Sequence, residues 1–307
     1  IMSPIDRDDL SPLTLGGIVP EVSATLLFLA AGASPDAAEM SRQIQLSEGL
    51  PQVERRLLQD IKRLATGDLD TLLADLTVPE SPSLDGEVTM AEVGASELYL
   101  MLQRCVRSIA AEVLGHPGYQ PSLPELERIE ALCMQPVVQV LNRLGNSAFP
   151  GPRHLASLLK AVGRELPADS LARLPAPSDM SASLWISGVT LIAKTRPYLW
   201  ENHRDAVAQG YLTPGVSAAI RFPTGAGKST LSELNILSNL CQRKDTIFLA
   251  PTLALVDQTA RALQKTFPDA QLSRERANDN PFDFDRDTRL PPISVMTPER
   301  CLALMGF

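Results

Sequence analysis

The sequence contains few of the residues that bind metals or form disulfides. It has four cysteines and three histidines among 307 residues, and no two cysteines form a CxxC pair. A zinc site or a disulfide framework needs such residues at close, regular spacing. Here they are scattered, which favours reduced thiols and isolated histidines over a metal cluster: Cys105, Cys133, Cys241, Cys301, His116, His154 and His203.

Long apolar runs are also missing. The longest run, from Val22 to Ala33, is shorter than the roughly 20 residues that a membrane-spanning helix requires. No basic stretch followed by an apolar one, the pattern of a secretory leader, opens the sequence. We therefore expect a cytoplasmic protein without a membrane partner, whose apolar residues suffice for the cores of about two domains.

Charge is unevenly distributed along the chain. The formal net charge is −8, of which residues 1–195 carry −9 and the remaining residues +1. An acidic region is a poor electrostatic match for the phosphate backbone of DNA or RNA. Any binding of nucleic acid is therefore expected from the region that follows Thr195, or from parts of a longer protein that this sequence does not include.

The leading region shows the apolar spacing of helices. In Gln52–Ala65 apolar residues recur every three or four positions, which is the period of a half-buried helical face. The same period predicts four further helices: Ser96–Leu114, Leu123–Leu144, His154–Val162 and Leu184–Ala193. Breaks fall at Val78–Gly86 and at Leu174–Ser183, and the second break is the predicted linker. We expect an all-helical interaction or regulatory domain over residues 1–180, with a divergent enzymatic or nucleic-acid module as the alternative.

The most informative stretch of the chain is rich in glycine. The apolar run Val216–Phe222 predicts a strand, Leu231–Cys241 predicts a helix, and PTGAGKST stands between them at residues 223–230. Strand, glycine-rich turn and helix is the context of a phosphate-binding loop. Glycines allow backbone conformations that turn successive N–H groups towards a phosphate, and the positive end of the helix dipole adds to that attraction.

Each residue type in residues 223–230, the phosphate-binding loop, suits one part of a bound nucleotide. Lys228 can reach the β- and γ-phosphates, and Ser229 offers a hydroxyl to Mg²⁺. The other loop residues would surround the phosphates: Thr224, Gly225, Ala226, Gly227 and Thr230. Phe222 departs from the pattern, because it replaces the first glycine of GxxxxGK[ST]. The sequence therefore predicts a nucleotide-phosphate site with Lys228 as its catalytic residue.

Two later segments extend this pattern. Asp245–Ala250 predicts a buried strand that leads into APTLALVDQ, and Ile293–Met296 predicts another strand that leads into TPER. In this order and spacing, PTGAGKST, APTLALVDQ and TPER resemble motifs I, Ia and Ib of the superfamily 2 DExD/H-box helicases. The resemblance covers residues 196–307. It implies the first RecA-like domain of such a helicase.

The resemblance carries expectations about fold, ligands and site residues. It implies an α and α/β fold, in which the helical domain is followed by an incomplete RecA-like domain with a mainly parallel sheet over residues 181–307. ATP and Mg²⁺ would bind the loop, and DNA or RNA would lie against motifs Ia and Ib. There Thr252 and Thr297 would hold backbone phosphates, although such hydroxyls also cap helices. His203 stands where the family has a glutamine that reads adenine, in a segment similar to YQREAV at residues 198–207.

The family's acidic DExD/H motif follows motif Ib. No apolar strand ending in an acidic pair follows Thr297 in this sequence. One acidic cluster precedes motif Ib instead, and its alternation with arginines indicates a solvated loop: Asp279, Asp283, Asp285 and Asp287. We therefore expect the amino-terminal part of an ATP-dependent helicase, which by itself hydrolyses no ATP.

Two classes of function stay open from the sequence. One is a helicase or translocase, similar in layout to the large helicases of bacterial defence systems. The other is a non-catalytic protein-interaction module that carries an ATPase half-lobe. In both, the helical region would dock a protein partner or the remaining domains of its own chain. A nucleotide kinase or transporter ATPase is disfavoured, because those folds have no reason to repeat Pro-Thr and Thr-Pro-Glu after later strands.

Overall fold

The chain divides into two units. The computed structural model describes these residues: 19–46, 50–75, 90–134, 149–177, 180–213, 215–223, 225–276 and 290–306. The first unit extends to Arg173 and also includes Ala193–Trp200. The second unit comprises Leu174–Ile192 and the residues from Glu201 onward. No described helix of either unit is long and apolar enough to cross a membrane.

The first unit is built from helices. In its described residues they are α1 (Pro20–Ala30), α2 (Ser34–Arg42), α3 (Gln52–Thr66), α4 (Leu69–Ala74), α5 (Met90–Leu114), α6 (Ser122–Met134) and α7 (Pro150–Glu165). The helices α3, α5 and α7 lie where the apolar spacing predicts them. Helix α6 covers the first part of the helix predicted over Leu123–Leu144, and residues 135–148 lie outside the described part of the chain, as does the break at Val78–Gly86.

The apolar faces of these helices form the core of the first unit. On α3, the side chains of Leu57, Leu58 and Ile61 are fully buried, and each contributes about 1.5–3 kcal/mol by leaving water. Helix α3 ends at Gly67, whose φ of 78° lies in the left-handed region that favours glycine. A Cβ atom at Gly67 would also lie 3.0 Å from the ring of Pro197.

The segment that precedes α9 (Glu201–Ala208) is held by the first unit. The N–H of Leu171 donates to the carbonyl of Pro197 at 2.8 Å, and the N–H of Leu199 donates to that of Asp169 at 2.7 Å. The buried Tyr198 donates its hydroxyl to the carbonyl of Leu64. The segment similar to YQREAV is therefore divided, because its first three residues belong to the first unit and α9 to the second.

A buried carboxyl group on α3 makes the stability of the first unit depend on pH. Glu54 is 8% exposed, and burial raises its pKa from 4.5 to about 7. The folded state therefore binds this proton more tightly than the unfolded state does. In consequence, the stability contributed at this position falls as the pH rises from 4.5 to about 7, and the loss is complete above that range.

We expect Glu54→Gln to remove this dependence. The variant should match the wild type near pH 4 and exceed its free energy of unfolding by about 2 kcal/mol at pH 8, because a neutral amide carries no ionisation penalty. Urea denaturation followed by helical circular dichroism at both pH values measures the difference. The exposed Glu97 on the same unit supplies the control, since Glu97→Gln should leave the pH dependence unchanged. Equal pH dependence of Glu54→Gln and the wild type would contradict the assignment.

Helices cover a small sheet in the second unit. In order, its described elements are α8 (Ala182–Ala193, the last residue belonging to the first unit), α9, α10 (Lys228–Cys241), β1 (Thr246–Leu249), α11 (Leu253–Thr266), β2 (Leu272–Arg274), β3 (Ile293–Met296) and α12 (Pro298–Leu304). The predicted linker Leu174–Ser183 contacts α8, because the indole of the fully buried Trp185 donates to the carbonyl of Leu174 at 2.8 Å.

The three strands form a parallel sheet in the order β1-β3-β2. Leu249 of β1 is in register with Met296 of β3, and Leu272 of β2 is in register with Ile293. All four residues of the central strand β3 are buried, as expected for a parallel strand covered on both faces. The expected α and α/β fold with a partial RecA-like domain and a parallel sheet is confirmed.

The strand predicted before the phosphate-binding loop is not formed, and that prediction is wrong. Residues 216–222 pair with no strand among the described residues, and residues 215–219 are exposed. The N–H of Val216 makes only a local turn bond, to the carbonyl of Thr213 at 3.3 Å. An apolar, β-branched run favours extended backbone, but a strand exists only where a neighbour supplies the ladder of hydrogen bonds.

The helix that follows the loop is packed closely against α8. A Cβ atom at Gly188 would lie 2.2 Å from a methyl carbon of Leu237 on α10, so a larger residue at this position would require the Leu237 side chain to move. On the same helix the side chains of Leu231 and Leu234 are buried. The position of the first turn of α10 is thus fixed by the packing of the rest of that helix.

Candidate nucleotide and nucleic-acid site

Two glycines shape the phosphate-binding loop. Gly225 and Gly227 have φ angles of 83° and 75°, in the left-handed region that other residues rarely adopt. A Cβ atom at Gly225 would meet nothing within 4 Å, so glycine is required there for its conformation and not for space. Among the described residues outside glycine, only Arg243 has a positive φ. Phe222 therefore replaces the first glycine of the motif without backbone strain.

The loop leads into the N-terminus of a helix that no side chain caps. Gly227 is the N-cap residue of α10, and it has no side chain that could accept a hydrogen bond from the first turn. The N–H groups of a first helical turn need partners from outside the helix. Together with the positive end of the helix dipole, these groups form a site for an anion.

Lys228 lies across the loop. Its ammonium donates to the carbonyls of Phe222 at 2.8 Å and Pro223 at 3.1 Å, and the side chain is exposed. A phosphate oxygen would be a stronger acceptor for this ammonium, because hydrogen bonds between two charged groups are about twice as strong as neutral ones. The ammonium can therefore exchange its two carbonyl acceptors for a bound anion. Because the side chain is already exposed, this exchange does not require the lysine to leave a buried position.

The other predicted residues of the loop differ in exposure. Ser229 is exposed in the first turn of α10. Thr230 is 4% exposed, and its N–H donates to the carbonyl of Gly227 at 3.0 Å. Ala226 donates its N–H to the carbonyl of Pro223 at 3.3 Å, which closes the turn. Thr224 lies outside the described residues.

Helix α9 contacts the loop through two neighbouring side chains. The amide of Asn202 donates from Nδ2 to the carbonyl of Ala226 at 2.9 Å. The ring of His203 places Nε2 3.0 Å from the carbonyl of Gly227, and this residue is 1% exposed. Because a carbonyl only accepts, Nε2 carries the hydrogen. Sequence reasoning missed Asn202, whose only signal is that it precedes His203.

The two threonines predicted to contact nucleic acid cap helices at one edge of the sheet. Thr252 Oγ1 accepts from the N–H of Leu255, and Thr297 Oγ1 accepts from the N–H of Arg300, both at 3.3 Å. They follow β1 and β3, and the carboxyl ends of parallel strands meet at the same edge. Thr252 is exposed, whereas Thr297 is 8% exposed. In both, the oxygen accepts the cap bond, so the hydroxyl hydrogen can still donate to a phosphate.

Charges of both signs surround this edge. Glu275 accepts from the N–H of Thr297 at 2.7 Å, which places a carboxylate beside that threonine. Asp257 on α11 pairs with Arg274 at 2.7 Å and with Arg261 at 3.4 Å. These exposed pairs contribute little to stability. The acidic cluster at residues 279–287 lies outside the described part of the chain.

The loop fits the phosphates of a nucleotide. An uncapped helix N-terminus, two left-handed glycines and an exposed ammonium occur together in this loop. Within the described ranges, no group of three acidic, histidine or cysteine side chains could hold a metal ion. A magnesium ion at this loop would be held by the Ser229 hydroxyl together with the phosphates themselves, which is how magnesium commonly enters nucleotide sites.

Comparisons with known proteins concern the second part of the chain. No curated protein matches the chain. Residues 201–306, from the first residue of α9 onward, match the model of the DEAD/DEAH box helicase family. This range includes the loop, the two side chains of α9 that contact it and both capping threonines. Over these residues the chain is similar to the DEAD/DEAH box helicases.

Proposed function

We propose that this protein supplies the ATP-binding and nucleic-acid-binding surfaces of a helicase or translocase that acts in the cytoplasm. The observation that carries the proposal is the conformation of the phosphate-binding loop. Its glycines are left-handed, its helix N-terminus is uncapped, and Lys228 is exposed beside both. A chance glycine-rich turn is not expected to combine all three of these features.

The ligands of the loop would be ATP and Mg²⁺. Lys228 neutralises charge on the β- and γ-phosphates, and backbone N–H groups of the loop and the first turn of α10 surround them. Ser229 would offer its hydroxyl to the metal, which when bound would supply neutralisation of charge on the phosphates. We propose the same ligands for the remaining predicted residues of the loop: Thr224, Gly225, Ala226, Gly227 and Thr230.

Titration with a fluorescent ATP analogue tests the nucleotide site directly. We expect saturable binding that requires Mg²⁺, is displaced by unlabelled ATP and is weakened by EDTA. Displacement by inorganic tripolyphosphate should also occur, because the groups that we assign to the loop would bind the phosphates and not the base. A signal that never saturates, or one that tripolyphosphate leaves unchanged, would contradict the proposed site.

We propose that the backbone of DNA or RNA lies along the sheet edge that carries Thr252 and Thr297. Hydroxyl and N–H donors at strand ends hold phosphates without reading sequence. Acidic and basic side chains lie side by side at this edge, so its described residues do not form a strongly basic groove. Affinity should therefore be modest and should fall as salt rises, in proportion to the number of phosphates contacted.

Thr252→Asp should weaken the binding of a single-stranded oligonucleotide by about fivefold at low salt, because a carboxylate would face a phosphate. Aspartate caps a helix at least as well as threonine, so α11 should be preserved. Thr252→Asn is the matched control, since it has the same shape and capping ability without the charge. Fluorescence anisotropy measures both variants. Equal binding by the aspartate and asparagine variants would remove Thr252 from the proposed interface.

We propose that the helical first unit docks a protein, or another part of its own chain. The net charge of −9 over residues 1–195 disfavours contact with nucleic-acid phosphates. On its layout alone, a helical region ahead of a helicase domain, the protein is also proposed to act in bacterial antiviral defence.

A further inference from the structure

We infer that Asn202 and His203 are positioning residues that set the direction of the loop's phosphate-binding N–H groups, and that His203 acts on the nucleotide through the loop and not by reading adenine. The inference rests on the proposed function of the loop as a phosphate site. Its basis is the pair of hydrogen bonds from α9 to the carbonyls of Ala226 and Gly227.

The geometry of the peptide bond links these carbonyls to the N–H groups. A trans peptide is planar, and its C=O and N–H point in opposite directions; the described part of the chain contains no cis peptide bond. The carbonyls of Ala226 and Gly227 share their peptide planes with the N–H groups of Gly227 and Lys228. Because α9 holds both carbonyls, those two N–H groups point away from α9. They belong to the N-cap residue and first residue of α10.

The burial of His203 supports the same role. The side chain is 1% exposed, and its Nε2 already serves the carbonyl of Gly227. Contact with a base through this nitrogen would require the ring to release the loop. Position 203 requires a side chain that donates a hydrogen bond to the carbonyl of Gly227. Glutamine also carries N–H groups, so it could supply this bond. By the same reasoning, aspartate at position 202 would set a carboxylate against the Ala226 carbonyl and lose the bond.

Hydrogen exchange of the protein without nucleotide tests the positioning role. The amides of Ala226 and Thr230, which bond to the carbonyls of Pro223 and Gly227, report on opening of the loop. We expect Asn202→Asp and His203→Ala to speed their exchange by about five- to tenfold, the effect of one lost hydrogen bond. In His203→Gln the same two amides should exchange at nearly the wild-type rate. Unchanged exchange in both Asn202→Asp and His203→Ala would overturn the inference.

Competition titrations separate positioning from reading of the base. If His203 acts through the loop, His203→Ala should weaken the binding of ATP and of inorganic tripolyphosphate by the same factor, about five- to tenfold. His203→Gln should restore the affinity for both ligands. Loss of ATP binding with unchanged tripolyphosphate binding would show that His203 reads adenine and would overturn the inference. If the wild type binds neither ligand, the proposed function fails, and the exchange measurement still decides whether α9 positions the loop.

Discussion

Lys228→Ala is expected to weaken the binding of Mg²⁺-ATP by about 30-fold or more. The side chain is exposed, and its ammonium donates to two neutral carbonyls of the loop. Removing a charge-assisted hydrogen bond to a phosphate loses about 2 kcal/mol. In a full-length protein that hydrolyses ATP, turnover should also fall below about a tenth of the wild-type value.

Lys244→Ala is the matched control for this result. Lys244 is another exposed lysine of the second unit, in the turn that follows α10 and away from the loop. Its removal changes the net charge equally, so it corrects for long-range attraction of the nucleotide. Affinity of Lys228→Ala within about threefold of the Lys244→Ala variant, less than 1 kcal/mol of lost binding energy, would contradict the assignment of the phosphate site.

The phosphate-binding loop could be predicted from sequence because its chemistry is local. The residues from Gly225 to Ser229 are contiguous, and glycine at two positions is enough to specify the left-handed turns. The helix that follows could also be predicted, since its apolar period is a property of the segment itself. The strand predicted over Val216–Phe222 is not formed, because a strand depends on a neighbour that the segment itself does not contain.

The contacts that hold the loop in place required the structure. Asn202 and His203 lie 24 residues before the carbonyls that they contact, and no periodic pattern links segments at that separation. The resemblance to YQREAV identified position 203 from its place in a motif, but not the group to which its ring donates. Likewise, Gly188 has no turn signal around it, and its role is visible only in the close approach of Leu237.

A buried charge network joins α3 to α5 in the first unit. Asp60 is 1% exposed; its Oδ2 accepts from Gln103 Nε2 at 2.8 Å and from Arg107 Nε at 3.2 Å. Arg63 lies 3.5 Å from the other carboxylate oxygen and also pairs with Asp75. Burial raises the pKa of Asp60, and the bonds from Gln103 and the two arginines only partly oppose that rise.

Asp60→Ala should lower the free energy of unfolding by about 3–5 kcal/mol, because it leaves Gln103 and Arg107 desolvated without their acceptor. That loss corresponds to a fall of about 6–20 °C in the midpoint of thermal unfolding followed by helical circular dichroism. Asp60→Asn should lose less stability than Asp60→Ala, because the amide oxygen still accepts one hydrogen bond and the cost of desolvating a carboxylate is avoided. The exposed Asp70 on α4 supplies the control, and Asp70→Ala should change stability by no more than about 0.5 kcal/mol.

Replacing Asp60 together with Gln103 and Arg107 distinguishes an unpaired charge from lost packing, while Arg63 keeps its ion pair with Asp75. Combining Asp60→Leu with Gln103→Leu and Arg107→Met substitutes apolar side chains of similar size for all three polar partners. Because a buried ion pair contributes little beyond its own desolvation, this triple variant should recover most of the stability that Asp60→Ala loses. An Asp60→Ala midpoint no lower than that of Asp70→Ala would show that the carboxylate is solvated in the folded protein. A triple variant as unstable as Asp60→Ala would show that the network itself, and not the unpaired arginine, stabilises the contact between α3 and α5.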